Sequence, residues 1–261
     1  MGHERIGYLP KSKKWRRIVD DIGSFNPTQP NVVRIASETT KNVRSQFKRI
    51  EEDKGVLAAF KFIILLAYAS SLKNSANFLK KEGINLPSNF NLFDLTSSIQ
   101  DFVSQNQESK EYSSFASQSI VDTVSEWSRE HQIQQSLIFN STNNPFETWR
   151  QAADGAGFCE LSRKFFSKFT ERYLKYFLER EASARIGNMY DRYEFNKKLA
   201  EHVQDISQHA FETSKITQSF SAGWFNKVIK EGVPNDDKIR AFLSFAFQKI
   251  NSELLKEEGF E

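Results

Sequence analysis

The sequence predicts an all-α fold, namely a soluble multi-helix bundle with no significant sheet. Apolar residues recur at spacings of three and four in every long segment, and no segment keeps the alternation of period two that a half-buried strand shows. The 11 Gly and 6 Pro are too few for a sheet-rich chain with many tight turns. The 24 Phe, 7 Tyr and 4 Trp supply bulky side chains for a core, although only 39% of the residues are apolar.

The first part of the chain predicts two helices with a break between them. Residues 12–23 place four apolar side chains on one helical face: Trp15, Ile18, Val19 and Ile22. The stretch GSFNPTQPN, residues 23–31, interrupts this pattern because Gly and Pro disfavour a continuing helix. A second helix is predicted over residues 32–53.

The most apolar stretch of the chain is VLAAFKFIILLAYA, residues 56–69, with Lys61 inside it. A helix needs about 20 apolar residues to cross a bilayer. The whole run is only 14 residues long, so we expect a buried central helix and no membrane span. Beyond it, the pattern predicts a loop over 82–91, a short helix over 92–102, a polar connector over 104–111 and a longer helix over 113–139.

The clearest predicted loop is FNSTNNP, residues 139–145, in which Ser, Thr and Asn side chains compete for backbone hydrogen bonds and Pro follows. It predicts an N-terminal helical region, residues 1–139, and a C-terminal helical region, residues 146–261. The first region begins with a basic arm, residues 1–31. One continuous domain is the alternative. The second region predicts helices over 158–186, over 189–221 and from Pro234 to Leu255.

Positive charge is concentrated at the N-terminus. Residues 1–50 hold 11 Lys or Arg against 4 Asp or Glu, a balance of +7, whereas the other residues hold 25 against 29, a balance of −4. We predict a binding segment at KSKKWRR, with the site residues Lys11, Lys13, Lys14, Trp15, Arg16 and Arg17. Four interpretations stay open: a solvated first helix, docking on a protein partner, contact with a nucleic-acid backbone, or a membrane surface.

A heptad seam is predicted over residues 199–220, with Leu199, Val203, Ile206, Ala210, Thr213, Thr217 and Phe220 at spacings of four and three. It either packs inside the bundle or accepts another helix, including that of a second copy of the chain. Beside it, four candidate metal ligands share one helical face: His202, Asp205, His209 and Glu212. The two His lie about 10 Å apart along a helix, too far for one ion to bridge. We therefore predict no metal site.

Cys159 follows GAGF at a predicted helix start, where the helix dipole favours a thiolate. A nucleophilic role would also need a base, and the candidates are His131, His202 and His209. A lone Cys among apolar neighbours is more typical of a small buried hydrophobic residue, so no catalytic residue is predicted. A single Cys excludes an internal disulfide and favours a cytoplasmic location.

The run FFSKFTERYLKYF, residues 165–177, combines an aromatic stripe with a cationic edge of Lys164, Lys168, Arg172 and Lys175. Aromatics between cations can stack bases and hold phosphates. Aromatics at helical spacing are more often core residues whose cationic neighbours reach out to solvent. We favour the second interpretation.

Taken together, a basic arm, a helical body and no credible catalytic constellation favour a non-catalytic subunit or adaptor of a multiprotein assembly. This hypothesis implies a protein partner, no cofactor and no enzymatic activity. The alternative is a nucleic-acid-binding protein that uses the basic arm and the cationic edge at 164–175. A metal-dependent helical enzyme is a third hypothesis, and it depends entirely on the four candidate ligands at 202–212.

Overall fold

The computed structural model describes residues 12–28, 31–106, 110–138, 144–211 and 219–256. Every regular element in these ranges is a helix and none is a strand, so the predicted all-α class is confirmed. Across the same ranges, no helix combines the length and the apolar character that crossing a bilayer requires.

The described chain forms ten α-helices and two short 3-10 helices. They are α1 (Lys13–Gly23), α2 (Val32–Glu52), α3 (Lys54–Ser70), α4 (Ser75–Lys81), α5 (Leu92–Ser104), α6 (Lys110–Ile138), α7 (Gly155–Arg185), α8 (Met189–Phe211), α9 (Phe220–Val228) and α10 (Asp236–Lys256). The first 3-10 helix, Pro145–Ala153, lies between α6 and α7, and the second, Ile229–Glu231, between α9 and α10.

The prediction of one helix over 189–221 is wrong. Ser219 has an extended backbone, with φ −63° and ψ 146°, and its side chain accepts a hydrogen bond from the backbone N–H of Ala222. It is therefore the N-cap of a new helix, α9, because a capping Ser satisfies an amide that has no partner inside the helix. Residues 212–218 lie outside the described ranges.

Helix α3 is the central helix that the sequence predicts. Between Val56 and Ala69, only Lys61 and Tyr68 are not buried. The helix contacts α5, α6, α7, α10 and the first 3-10 helix. Lys61 points to the edge of the core, and its Nζ lies 2.7 Å from a carboxylate oxygen of Asp236 at the start of α10.

One hydrophobic core joins the helices on both sides of the predicted boundary at 139–145. Phe60 of α3 stacks on Phe242 of α10, with ring centroids 5.2 Å apart, and also contacts Phe166 of α7. Buried residues from α1 through α10 form a single contiguous cluster. Most of the predicted boundary, residues 139–143, lies outside the described ranges, and the division into two regions stays a prediction.

Two glycines mark places where neighbouring elements approach closely. A Cβ at Gly157 of α7 would lie 1.9 Å from the carbonyl oxygen of Gln151 in the first 3-10 helix. A Cβ at Gly55 of α3 would lie 2.0 Å from Oγ of Ser113 in α6. The Gly-Ala-Gly sequence before Cys159 is therefore a packing feature of the start of α7.

Candidate functional site

Helix α1 carries the predicted binding segment and has one buried and one cationic side. Its N-cap is Ser12, whose Oγ accepts a hydrogen bond from the N–H of Trp15 at 3.1 Å. Its apolar side packs against α2 and α7 and buries Trp15, Ile18, Val19 and Ile22. Its other side exposes four cations, here called the cationic face: Lys13, Lys14, Arg16 and Arg17.

The four side chains of the cationic face form no hydrogen bond or ion pair with any residue that the structure describes. Of the two acidic residues in α1, Asp21 is already paired, since its carboxylate lies 2.7 Å from the guanidinium of Arg34. No ion pair within the described part of the chain therefore neutralises the cationic face.

The structure separates the six predicted site residues into three groups. Four of them form the cationic face. Trp15 is 4% exposed and belongs to the core cluster, so its ring is not presented to a partner. Lys11 lies outside the described residues.

The cationic edge of α7 is neutralised by carboxylates of the same chain. Nζ of Lys164 lies 2.6 Å from Glu126 and 3.0 Å from Glu130 of α6, and Lys168 also pairs with Glu126 at 2.7 Å. Arg172 pairs with Asp122. Lys175 pairs with Glu171 on its own helix.

The aromatic stripe of the same helix is core. Phe165, Phe169, Tyr173 and Phe177 are all fully buried, and Tyr176 is half-buried. Burial raises the pKa of Tyr173 and keeps its hydroxyl protonated in the interior. The stripe therefore packs the bundle, as the favoured interpretation of this run expects.

Opposing effects set the ionisation of the pairs between α6 and α7. Burial alone would raise the pKa of Glu126, but hydrogen bonds and positive charge from Lys164 and Lys168 outweigh it, and the pKa lies below its ordinary value. Burial alone would lower the pKa of Lys164, but Glu126 and Glu130 outweigh it, and that pKa is raised. Both groups are therefore held in their charged forms.

We expect Glu126→Gln to lower the free energy of unfolding by about 1–3 kcal/mol at pH 7, because two lysines lose a charged hydrogen-bond partner. The folded-state pKa of Glu126 is depressed, so its contribution is complete above about pH 4.3 and is lost as the pH falls through the folded value. Urea unfolding measured from pH 7 to pH 2 should show that the free energies of unfolding of the wild type and of Glu126→Gln become equal in acid.

Glu179→Gln, at an exposed position of α7, is the matched control for this change and should leave stability within about 0.5 kcal/mol of the wild type. A difference between Glu126→Gln and wild type that stays constant in acid would contradict the assigned role of Glu126.

The part of the predicted seam at 199–220 that the structure describes is largely buried in the core of the same chain. Leu199, Val203, Ile206 and Ala210 are buried and belong to the core cluster. Phe220 lies in a different helix, α9, and Thr213 and Thr217 are outside the described residues. The part of the seam that the structure describes is therefore covered by neighbouring helices of the same chain.

The candidate metal ligands that the structure describes on α8 form no metal-binding group. His202 is half-buried, Asp205 and His209 are exposed, and Glu212 lies outside the described residues. Nowhere in the described chain do three or more His, Cys, Asp or Glu side chains come together in a metal-binding arrangement.

A polar cleft of about 330 Å³ lies where α6, the first 3-10 helix and the start of α7 meet. The name polar cleft is used below for the space lined by Trp127, His131, Gln151, Asp154, Ala156, Gly157, Cys159, Glu160 and Arg163. Of the three histidines considered as bases for Cys159, only His131 lines it. The sequence contains both residues but has no feature that predicts that they line one cleft, because it does not specify which face of α6 meets α7.

The described structure thus offers two candidate sites, the cationic face of α1 and the polar cleft. The first was predicted from charge density, and the second arises from helix packing. No protein-family model, curated protein or solved structure matches this chain.

Proposed function

We propose that this protein is a non-catalytic helical subunit or adaptor of a multiprotein assembly, and that it docks through the cationic face of α1 on an acidic surface of a protein partner. The observation that carries the proposal is the placement of four exposed cations without a described partner on a helix that is itself anchored in the core.

The placement of these cations is unfavourable for the helix. Lys13 and Lys14 begin α1, Arg16 and Arg17 follow within the next turn, and the first turn contains no acidic residue. Lys13 and Lys14, in the first turn, oppose the helix dipole and cost roughly 0.3–1 kcal/mol each when exposed, an effect that falls off beyond that turn. Residues that do not help their own helix to form are good candidates for a role outside the fold.

The anchoring of α1 supports docking as well. Trp15 and three further apolar side chains are buried against α2 and α7, so the backbone that carries the cations is ordered before a partner arrives. A pre-ordered surface loses less conformational entropy on binding than a flexible arm. Opposite charge on the partner would raise the association rate and make it depend on salt.

A protein partner is favoured over nucleic acid by the position of the aromatic side chains. Trp15 is buried and cannot stack on a base, and the aromatic stripe of α7 is in the core. The cations along that stripe are paired with carboxylates. A nucleic-acid contact would therefore rely on phosphates alone, with four cations in one short helix.

The test replaces Lys13, Lys14, Arg16 and Arg17 together by Gln, which removes four charges while keeping a good helix former at each position. We expect the thermal midpoint to stay equal or rise slightly. We also expect the partner captured by the wild-type chain from cells of its source to bind more slowly and with a weaker dependence on salt.

The matched control replaces four exposed cations on other elements by Gln: Lys73, Lys80, Lys81 and Lys230. This control makes the same change in net charge. If the association rate and its salt dependence fell equally in both variants, overall charge would explain the effect and the proposed site would be refuted. Recovery of nucleic acid alone would support the alternative. In that case, the slope of log K against log salt concentration for duplex DNA should be less steep by roughly 3–4 units in the α1 variant.

A further inference from the structure

The polar cleft contains a buried histidine whose orientation is fixed. His131 is 8% exposed, and its ring stacks on Trp127 with centroids 3.8 Å apart. Its Nδ1 lies 2.9 Å from the carbonyl oxygen of Trp127. A carbonyl oxygen can only accept, so in the neutral ring Nδ1 carries the hydrogen of this bond and Nε2 keeps a free lone pair.

The second nitrogen of this ring is open to the cleft. Nε2 of His131 has no hydrogen-bond partner among the residues that the structure describes. It is also not one of the partnerless side-chain atoms that are sealed from solvent. Solvent therefore reaches Nε2, and the polar cleft is the space that His131 lines. Because buried polar atoms are nearly always hydrogen-bonded, this acceptor is suited to a donor that enters the cleft.

The charged groups around the cleft favour a cationic donor. Asp154 and Glu160 supply two carboxylates against one guanidinium, that of Arg163. Asp154 is the N-cap of α7, where its Oδ1 accepts the N–H of Gly157 at 2.8 Å. Glu160 approaches Lys164 only to 3.7 Å, and that lysine is held at shorter distances by two carboxylates of α6. Since carboxylates and a neutral imidazole nitrogen accept hydrogen bonds, the lining is net negative and rich in acceptors.

The size and the walls of the cleft limit the ligand further. Its volume of about 330 Å³ lies at the lower end of the range of small-molecule sites, about 300–1,000 Å³. Trp127, Ala156 and Gly157 add apolar wall beside the polar groups. A short alkyl chain that ends in an ammonium group suits both features, because the chain contacts the wall and the three N–H donors meet acceptors. The described carboxylates and histidines of the cleft form no metal-binding group.

We propose that the polar cleft is a binding site for a small primary alkylammonium ion. Nε2 of His131 accepts one N–H of the ligand, and the carboxylates of Asp154 and Glu160 balance its charge. Binding is reversible and involves no covalent step. The site is formed by α6, the first 3-10 helix and α7, so it goes beyond the docking function of α1 and does not depend on it.

The test compares three small probes of similar size and different charge, namely propylammonium, propanol and propionate. Each is titrated into the full chain at pH 8, where an ordinary imidazole is neutral. The reporter is the NMR signal of the ring Cε1–H group of His131, which its loss in His131→Gln assigns. We expect propylammonium to move this signal to a plateau in the millimolar range, a strength within reach of so small a ligand. Propanol should bind at least tenfold more weakly, and propionate should cause no saturable change.

Two variants test the location of the site. Asp154→Asn combined with Glu160→Gln removes both charges while Asn still caps α7, and it should weaken the binding of propylammonium at least tenfold. The matched control, Asp101→Asn combined with Glu179→Gln, makes the same change in net charge at exposed positions outside the cleft and should leave the affinity unchanged. Ala156→Phe adds a ring at an exposed position of the lining and should also weaken binding at least tenfold.

Three results would overturn the proposal. The first is the lack of a saturable shift of the His131 signal up to about 100 mM propylammonium. The second is an equal response to propylammonium and propionate, because the cleft would then not select a cation. The third is a shift that persists in both cleft variants, because the probe would then bind elsewhere. Thermal unfolding of each variant identifies any that fail to fold, and if the carboxylate variant fails, Ala156→Phe still decides the location. None of these results bears on whether α1 docks a partner.

Discussion

Replacing Ile64 by Ala is expected to lower the free energy of unfolding by about 2–5 kcal/mol. Ile64 lies in the middle of α3 and is fully buried, and α3 contacts helices from both halves of the chain. The change removes three buried carbon atoms and leaves a cavity that rigidly packed neighbours can fill only in part. Equilibrium urea unfolding followed by circular dichroism measures the loss as a shift of the midpoint at constant slope.

Ile229→Ala is the matched control for this change because Ile229 is only half-buried, in the second 3-10 helix. We expect it to cost clearly less than Ile64→Ala. If Ile64→Ala cost less than about 0.5 kcal/mol, α3 would not be the central element of the core.

Trp15→Ala is expected to lower the free energy of unfolding by about 3–5 kcal/mol, the range for losing a large buried aromatic side chain. Trp15 is 4% exposed and lies at the N-terminal end of the buried side of α1. At temperatures where the variant is folded, its association with the partner should stay close to that of the wild type, because the lost ring faces the core. Thermal unfolding and binding kinetics on the same preparation measure both effects.

Trp15→Phe is the conservative control and should recover most of the lost stability. Together with the four-Gln variant of α1, it separates two roles within one short segment. The cations should govern association and leave stability unchanged, whereas Trp15 should govern stability and leave association unchanged. A large increase in the dissociation rate for folded Trp15→Ala would contradict this division and would show that Trp15 contributes to the binding surface.

Local sequence patterns predicted the helices well where the buried residues recur at helical spacing. The segment 56–69 has one charged residue in 14, and only a position buried on all sides suits such a composition. The break at Ser219 was missed because the spacing of four and three continues past it to Phe220. The cap itself was the available signal, since Ser219 stands three residues before the amide that it caps.

Features that depend on which helices meet could not be predicted in the same way. The sequence shows the cations at 164–175, but their carboxylate partners Glu126, Glu130 and Asp122 come from another helix. Periodicity shows which face of each helix is buried, but it does not show which helix packs against that face. The polar cleft, which residues from two helices and the first 3-10 helix line together, is of the same kind.

The close approach at Gly157 has a consequence for how this chain can change over evolutionary time. Any side chain there would have to displace the backbone at Gln151, and any side chain at Gly55 would displace Ser113. Exposed residues such as those of the cationic face can vary without disturbing the fold. Descendants of a common ancestor that keep this architecture should therefore retain glycine at these two positions after most of the surface has diverged. These glycines, with the apolar segment at 56–69, form the signature by which distant relatives could be recognised.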